Sequence, residues 1–403
     1  MTDVARAPSG LDGKTDEPVL IIGAGPAGLA AAARLGKLGV RARVLECGDG
    51  VAFAWRERYD RMRMNTCRWN IRLWFGRFPQ GTPAFPTRDQ FVRYMESYVV
   101  KHGLEVDYGV RVDRIDQVAG GWQLATAAGD LTARQVIVAT GHDLTPRLPN
   151  WAGRDRFPGR LIHSAQYSNP REFCGADVLV VGTGCSGTDI AADLVQGGAG
   201  RVWLAVRSQP HLMMRKSVWG PNDLVAAGLQ RMPLSIADSI DRLIRRTTVG
   251  NLAPWGLLLP EEGTFTTFRR DEAQPTIVDP DFIEGIKTGR IEVVAGVSSV
   301  DADGVQLTDG TRLNPDAIVA ATGFSNGLAS FVGHLGVLDD EGFPHRTSGT
   351  GLYFLGYDKG VGVIGPAARR ATERVCRQVA SERLKFDAAA VGLLGWRSEE
   401  LLG

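Results

Sequence analysis

The chain has 403 residues, too long for one ordinary core, so two domains are the natural expectation. Its 46 Lys and Arg nearly balance 45 Asp and Glu, which removes any overall electrostatic reason to expect nucleic acid or an anionic membrane as a partner. An apolar share of 44% argues against extensive disorder, and Gly, at 50 residues, is frequent enough to imply many tight turns and close approaches of backbone to ligand.

Residues 1–16 read as a loose tail, polar rather than signal-like. No apolar run reaches the roughly 18 residues that cross a bilayer, so a cytoplasmic location is expected. The run PVLIIGAGPAGLAAAARLGKLGVRARVLE then reads as strand, Gly-rich turn, helix and second strand. Gly23, Gly25 and Gly28 fill a GxGxxG pattern, with Pro26 and Ala27 opening the helix. Gly23 permits the tight turn, Gly25 leaves room for a pyrophosphate, and Gly28 lets helix and strand pack closely. Glu46 ends the second strand about 20 residues on, where a carboxylate accepts hydrogen bonds from both ribose hydroxyls. This unit reads as a FAD site.

The apolar strand QVIVATG ends in Thr140 and Gly141. The strand–turn–helix pattern then recurs as DVLVVGTGCSGTDIAADLVQGGAGRVWLAVRS, with Gly182, Gly184 and Gly187 in the glycine positions. At the end of the following strand stand Arg207 and Ser208 with no acid. A guanidinium suits a 2′-phosphate that a carboxylate would repel, so the second unit reads as an NADPH site. A second Ala-Thr-Gly exit, AIVAATGF, carries Thr322 and Gly323. The expected fold is therefore α/β, with two Rossmann-like dinucleotide-binding domains and the NADPH domain inserted in the FAD domain. The FAD domain would take residues 17–165 and 300–403, and the NADPH domain residues 166–299. Within it, residues 209–275 carry no recognisable code and suit a flap over the cleft or a homodimer contact.

Between the first Ala-Thr-Gly and the second glycine turn lies FPGRLIHSAQY, with Phe157, Gly159, His163 and Tyr167 at the spacing FxGxxxHxxxY. This resembles the fingerprint of class B flavin monooxygenases. ECGDGVAFAWRERYDRMRMNTCRW, FPTRDQFVRYMESY, QPTIVDPDFIEGIKTGRIEV and GLYFLGYDKGVGVIGPA extend the likeness over nearly the whole chain, to the YUCCA type, which converts indole-3-pyruvate to indole-3-acetate. The resemblance implies a monooxygenase using FAD, NADPH and O2, forming a C4a-(hydro)peroxyflavin and oxygenating a small organic substrate. It places Ala54, Trp55, Asn65 and Thr66 against the FAD. Ser186, Thr188 and Asp189 fall where NADPH is contacted, and Arg215 matches a family Arg that touches NADPH or closes the cleft.

Asn65 is the candidate catalytic residue, since an uncharged amide both donates and accepts without protonating an oxygen adduct. It stands where the YUCCA type usually carries His, and so looks like other flavin monooxygenases. For His163 the expected role is to hold the linker geometry rather than to transfer protons. Trp55, Trp69, Trp74 and Phe75 fit core packing as well as a site lining. Arg63, Arg68 and Arg72 suit an acidic substrate or a solvated face. The cysteines show no CxxC pair and no metal-like cluster, which sets aside a disulfide reductase, and no metal is expected. A peroxide-releasing NADPH oxidase, a redox sensor, Baeyer–Villiger oxidation and N- or S-oxygenation are the alternatives.

Overall fold

The structure, a computed structural model, describes residues 17–272, 274–345, 351–358 and 365–390, with side chains up to 385. The tail at 1–16 lies outside these residues. Strand β1 (Val19–Ile22) is buried at all four positions, the pattern of a strand covered on both faces. It feeds helix α1 (Pro26–Lys37), whose first position takes the φ that proline already favours. Strand β2 (Ala42–Leu45) follows, then helix α2 (Arg88–His102). A capping box starts α2: Gln90 N–H donates to Thr87 Oγ1 at 3.2 Å, and Thr87 N–H to Gln90 Oε1 at 2.9 Å. Strand β3 (Glu105–Asp107), an antiparallel meander over 112–133 and strand β4 (Val136–Val138) complete this first pass.

The chain leaves through β5 (Thr145–Pro146) and builds a second unit. In order, this comprises β6 (Arg160–His163), β7 (Val178–Val181), α3 (Cys185–Gln196), β8 (Val202–Val206) and β9 (Leu212–Met214). Helices α4 (Asn222–Leu229), α5 (Leu234–Thr248) and α6 (Thr264–Asp271) come next. Strand β10 (Thr276–Val278), helix α7 (Pro280–Lys287) and strands β11 (Ile291–Ala295) and β12 (Ala317–Ala320) close it. The chain returns through β13 (Phe324–Ser325), which pairs antiparallel with β5, to β14 (Leu352–Phe354) and helix α8 (Pro366–Ala390).

Each unit is centred on a parallel five-stranded sheet, ordered β14-β4-β1-β2-β3 in one and β6-β12-β7-β8-β11 in the other. The strand pairing corrects the boundaries read from sequence. Strand β6 belongs to the second sheet although it precedes residue 166, and so does β12 although it follows residue 300. Val300, Val305 and Leu307 likewise pack with Leu179 and Trp203 of the second unit. The second unit thus occupies the chain between the ribbon strands β5 and β13.

Within residues 209–275, helices α4 to α6 gather Leu229, Ala237, Ile244 and Phe265 into a small core of their own. Asp238 holds the start of α6, accepting from Phe265 N–H at 2.7 Å and Thr266 Oγ1 at 2.6 Å. Asp223 of α4 accepts from Cys67 N–H at 3.2 Å and Asn70 Nδ2 at 2.8 Å, which docks the segment on the first unit.

Helix α8 lies along α1, pinned by a bidentate pair in which Arg34 donates to Glu373 at 2.5 and 2.7 Å. Hydrogen bonding to Arg34 holds the Glu373 carboxyl down, from 4.5 to about 2. A depressed acid stabilises the fold above its unfolded value and ceases to do so as pH falls through its folded value. Acidification from pH 4.5 towards about 2 is therefore expected to loosen α8. Trp74, whose Nε1 donates to Arg369 O of α8 at 3.1 Å, reports this by fluorescence. In Glu373→Gln, less stable by about 1 kcal/mol, that acid step should be missing; an identical step in the variant would refute the assignment.

Candidate active site

The two glycine turns leave the carboxyl ends of β1 and β7 with the same geometry. Gly23 and Gly182 have φ of +108° and +113°, a region L side chains rarely enter. A Cβ on either would meet the carbonyl oxygen of the alanine that opens the Ala-Thr-Gly exit, Ala139 O at 2.7 Å or Ala321 O at 2.5 Å. A Cβ on Gly28 or Gly187 would stand 2.0 Å from the first glycine's carbonyl oxygen. Around Gly25 and Gly184, by contrast, no protein atom lies within 4 Å of such a Cβ. Neither α1 nor α3 has a side chain capping its N-terminus. Space beside the middle glycine and first-turn N–H groups without a side-chain cap make two cradles for a pyrophosphate.

Glu46 is buried at the end of β2. Its Oε2 accepts from Ala24 N–H at 2.8 Å and its Oε1 from Gly48 N–H at 3.0 Å and the Cys47 thiol at 3.3 Å. The carboxylate therefore staples the turn, leaving about one acceptor site on Oε2 for a ribose hydroxyl where the sequence reading assigned it two. The exits are open: Gly141 and Gly323 have φ of +85° and +81° with nothing near their Cβ positions. Thr140 Oγ1 shares a 2.6 Å hydrogen bond with Tyr357, and Thr322 Oγ1 donates to Arg147 O.

Arg207 and Ser208 are exposed just beyond β8, and among the described residues no hydrogen bond or ion pair engages the guanidinium. Ser186 is half-buried in the first turn of α3. Thr188 and Asp189 face inward instead, at 0% and 4% exposure. Thr188 Oγ1 donates back to Cys185 O at 3.1 Å, and Asp189 Oδ2 accepts from Tyr59 OH at 3.0 Å. Helical periodicity turns these two side chains into the unit's core.

Arg215 is also buried, and its fork is spent on protein groups. Nη1 donates to Asp279, Nη2 reaches Asp189 Oδ2 at 3.5 Å, and Nε and Nη2 meet Asn65 Oδ1 at 3.3 and 3.1 Å. The cluster joins Asn65 of the first unit to α3, β9 and α7 of the second. Burial pushes the Asp189 carboxyl up to about 6, against the pull of Arg215. Tyr59 and Asp279 were not singled out from sequence. Asp279 did carry a signal, since an Asp before Pro280 marks a helix start, yet its side chain pairs with Arg215 and does not cap α7.

The fingerprint residues hold the frame. His163 Nδ1 accepts from Ala165 N–H at 3.1 Å, so the ring proton lies on Nε2 and is donated to Gly323 O at 3.0 Å. Burial lowers its pKa, which keeps the ring neutral. Phe324 of the ribbon stands edge-on to this ring at 4.9 Å, with Arg58 over its face. Tyr167 is buried and donates to Asp193 Oδ2 at 2.8 Å. A Cβ on Gly159 would strike Asp316 O at 2.4 Å.

Among the aromatics, Trp55 packs edge-on to Phe91 at 4.9 Å and Trp74 joins the first core, whereas Trp69 and Phe75 are exposed. Ala54 is exposed and Thr66 half-buried, on either side of the Tyr59 segment. Arg68 donates to Thr82 O and stacks over Trp69; Arg63 and Arg72 face solvent. The three arginines do not converge on one buried anion pocket.

Two nucleotide cradles, an exposed cation beyond β8 and a histidine-locked ribbon between the units make a scaffold for an oxidoreductase that takes two dinucleotides. A family model described as pyridine nucleotide-disulphide oxidoreductase matches residues 20–219; all five cysteines are free. Indole-3-pyruvate monooxygenase YUCCA1 of Oryza sativa subsp. japonica is 33% identical over 93% of this chain and 94% of its own length. The probable indole-3-pyruvate monooxygenase YUCCA8 of Arabidopsis thaliana is 31% identical over 84% of each chain. Among solved structures, a flavin-containing monooxygenase from Stenotrophomonas maltophilia aligns with TM-score 0.67 at 21% identity, over 92% of this chain and 98% of that one. An oxidized steroid monooxygenase bound to NADP aligns with TM-score 0.70 at 20% identity, over 93% and 86%. The chain belongs to the YUCCA family of monooxygenases. No helix among the described residues is long and apolar enough to cross a membrane.

Proposed function

We propose that this enzyme uses FAD and NADPH to oxygenate an aryl 2-oxo acid of the indole-3-pyruvate type, with oxidative decarboxylation. The observation that carries the substrate class is the 33% identity, over 94% of its length, to a relative named for that substrate. The balance is 2-oxo acid, O2, NADPH and a proton giving the acid one carbon shorter, CO2, water and NADP+. The turn of Gly23, Gly25 and Gly28, with Pro26, Ala27, Glu46, Thr140 and Gly141, would hold FAD. Gly182, Gly184, Gly187, Ser186, Arg207, Ser208, Thr322 and Gly323 would hold NADPH. Bound together, the two cofactors supply hydride transfer and oxygen activation.

The chain's own groups position and exclude. Asn65 offers an amide that hydrogen-bonds without giving up a proton. Segment 209–275, docked through Asp223 on Cys67 and Asn70, acts as a flap that keeps water out. A second reading, oxygenation of an amine or sulfide, is favoured by Asn65 standing where the YUCCA type carries His. The deciding experiment measures NADPH consumption and product mass for the FAD-loaded protein against aryl pyruvates, amines, sulfides and ketones. Formation of the shortened acid supports the first reading; turnover confined to amines or sulfides overturns it.

A further inference from the structure

Arg215 and Asn65 meet in one orientation only. A guanidinium has five donors and no acceptor, so the amide edge facing it is the oxygen. Two N–H groups of Arg215, Nε and Nη2, converge on Asn65 Oδ1 at 3.3 and 3.1 Å. The amide NH2 on the far side makes no hydrogen bond with any described residue. Arg215 is itself fixed from behind by Asp279 and Asp189, and Asp189 in turn by the Tyr59 hydroxyl at 3.0 Å. At the start of α7, Asp279 leaves its own helix uncapped to make this pair. Serving Arg215 thus takes precedence over a cap that ordinarily contributes about 1 kcal/mol.

We propose that Arg215 is a positioning residue: braced by Asp189, Asp279 and Tyr59, it locks the Asn65 amide so that its NH2 is the group offered to what binds in the cleft. This rests on the reading of Asn65 as a residue that meets the cofactors. It makes the second unit set the hydrogen-bonding sense of a first-unit side chain. Asn65 then acts as a donor of fixed direction, and a freely turning amide at that position would donate only part of the time.

The test uses FAD-loaded protein and two readouts. One is the dissociation constant of NADP+, from the change in flavin absorbance, and the other is NADPH oxidation without organic substrate. In Arg215→Lys the single ammonium is drawn to the two carboxylates and no longer holds Oδ1. NADP+ is expected to bind about fivefold more weakly, the equivalent of about 1 kcal/mol, and substrate-free NADPH oxidation should rise. Asn65→Ala should do the same, and the double variant should be no weaker than Asn65→Ala alone, since both remove one interaction. Independent, multiplying effects in the double variant would overturn the proposal while leaving Asn65 in its role. An Asn65→Ala protein indistinguishable from the parent would remove the underlying reading and the proposal with it. Should Arg215→Lys not fold, Tyr59→Phe carries the same cycle, with about a threefold loss expected and the same outcomes deciding.

Discussion

Gly25→Ala is expected to yield a stable, folded protein that no longer retains flavin. The backbone there has φ −80° and ψ −177°, extended values any residue adopts, and an added Cβ meets no protein atom within 4 Å. Stability should change by a few tenths of a kcal/mol at most, in the stabilising direction because the unfolded chain loses freedom. The methyl instead takes the space proposed for the pyrophosphate, and flavin affinity should fall about a hundredfold or more. Gly28→Ala makes the contrast. Its methyl would sit 2.0 Å from Gly23 O, so the turn must open. A cost of about 3 kcal/mol, the upper range for overpacking, should lower the thermal midpoint as well as the flavin content. Absorbance of the purified proteins near the flavin bands, set beside their melting curves, separates the two cases. A Gly25→Ala protein as yellow as the parent would show that the cradle beside α1 holds no phosphate.

Replacing Arg207 by Ser is expected to reverse much of the preference for the phosphorylated coenzyme. The guanidinium is exposed and has no internal partner among the described residues, so its removal should leave folding untouched. A charge-assisted hydrogen bond contributes about 1.5–3 kcal/mol, and the kcat/KM ratio of NADPH to NADH should drop about thirtyfold. The parent's KM for NADPH should also climb with ionic strength more steeply than the variant's, because an exposed pair is screened. Equal preference before and after the substitution would transfer phosphate recognition elsewhere in the second unit.

The parts legible in the sequence were those fixed by local stereochemistry. A positive φ at Gly23 and Gly182, and the closeness of Gly28 and Gly187 to the turn, are demands that only glycine meets, so spacing alone reveals them. Sheet membership was less legible. β12 and β4 are both short apolar runs directly before Ala-Thr-Gly, and only pairing with β7 or β1 tells them apart. Strand β6, placed before the second glycine turn in the chain, gives no local sign that it will lie beside β12. The burial of Thr188 and Asp189 was illegible for a related reason. A polar residue after a glycine turn invites a ligand role, but at their helical phase they point into the core, where Tyr59 and Arg215 satisfy the carboxylate from distant chain positions.

The paired strands β5 and β13 carry both covalent passages between the two sheets, and the His163 ring grips the carbonyl of Gly323 at their root. The same two units also meet away from that ribbon, where Tyr59 donates to Asp189 and Asp223 accepts from Asn70. Asn65 belongs to one unit and Arg215 to the other, so their contact is a seam between the two sheets, and the direction of the Asn65 amide depends on how the sheets are docked.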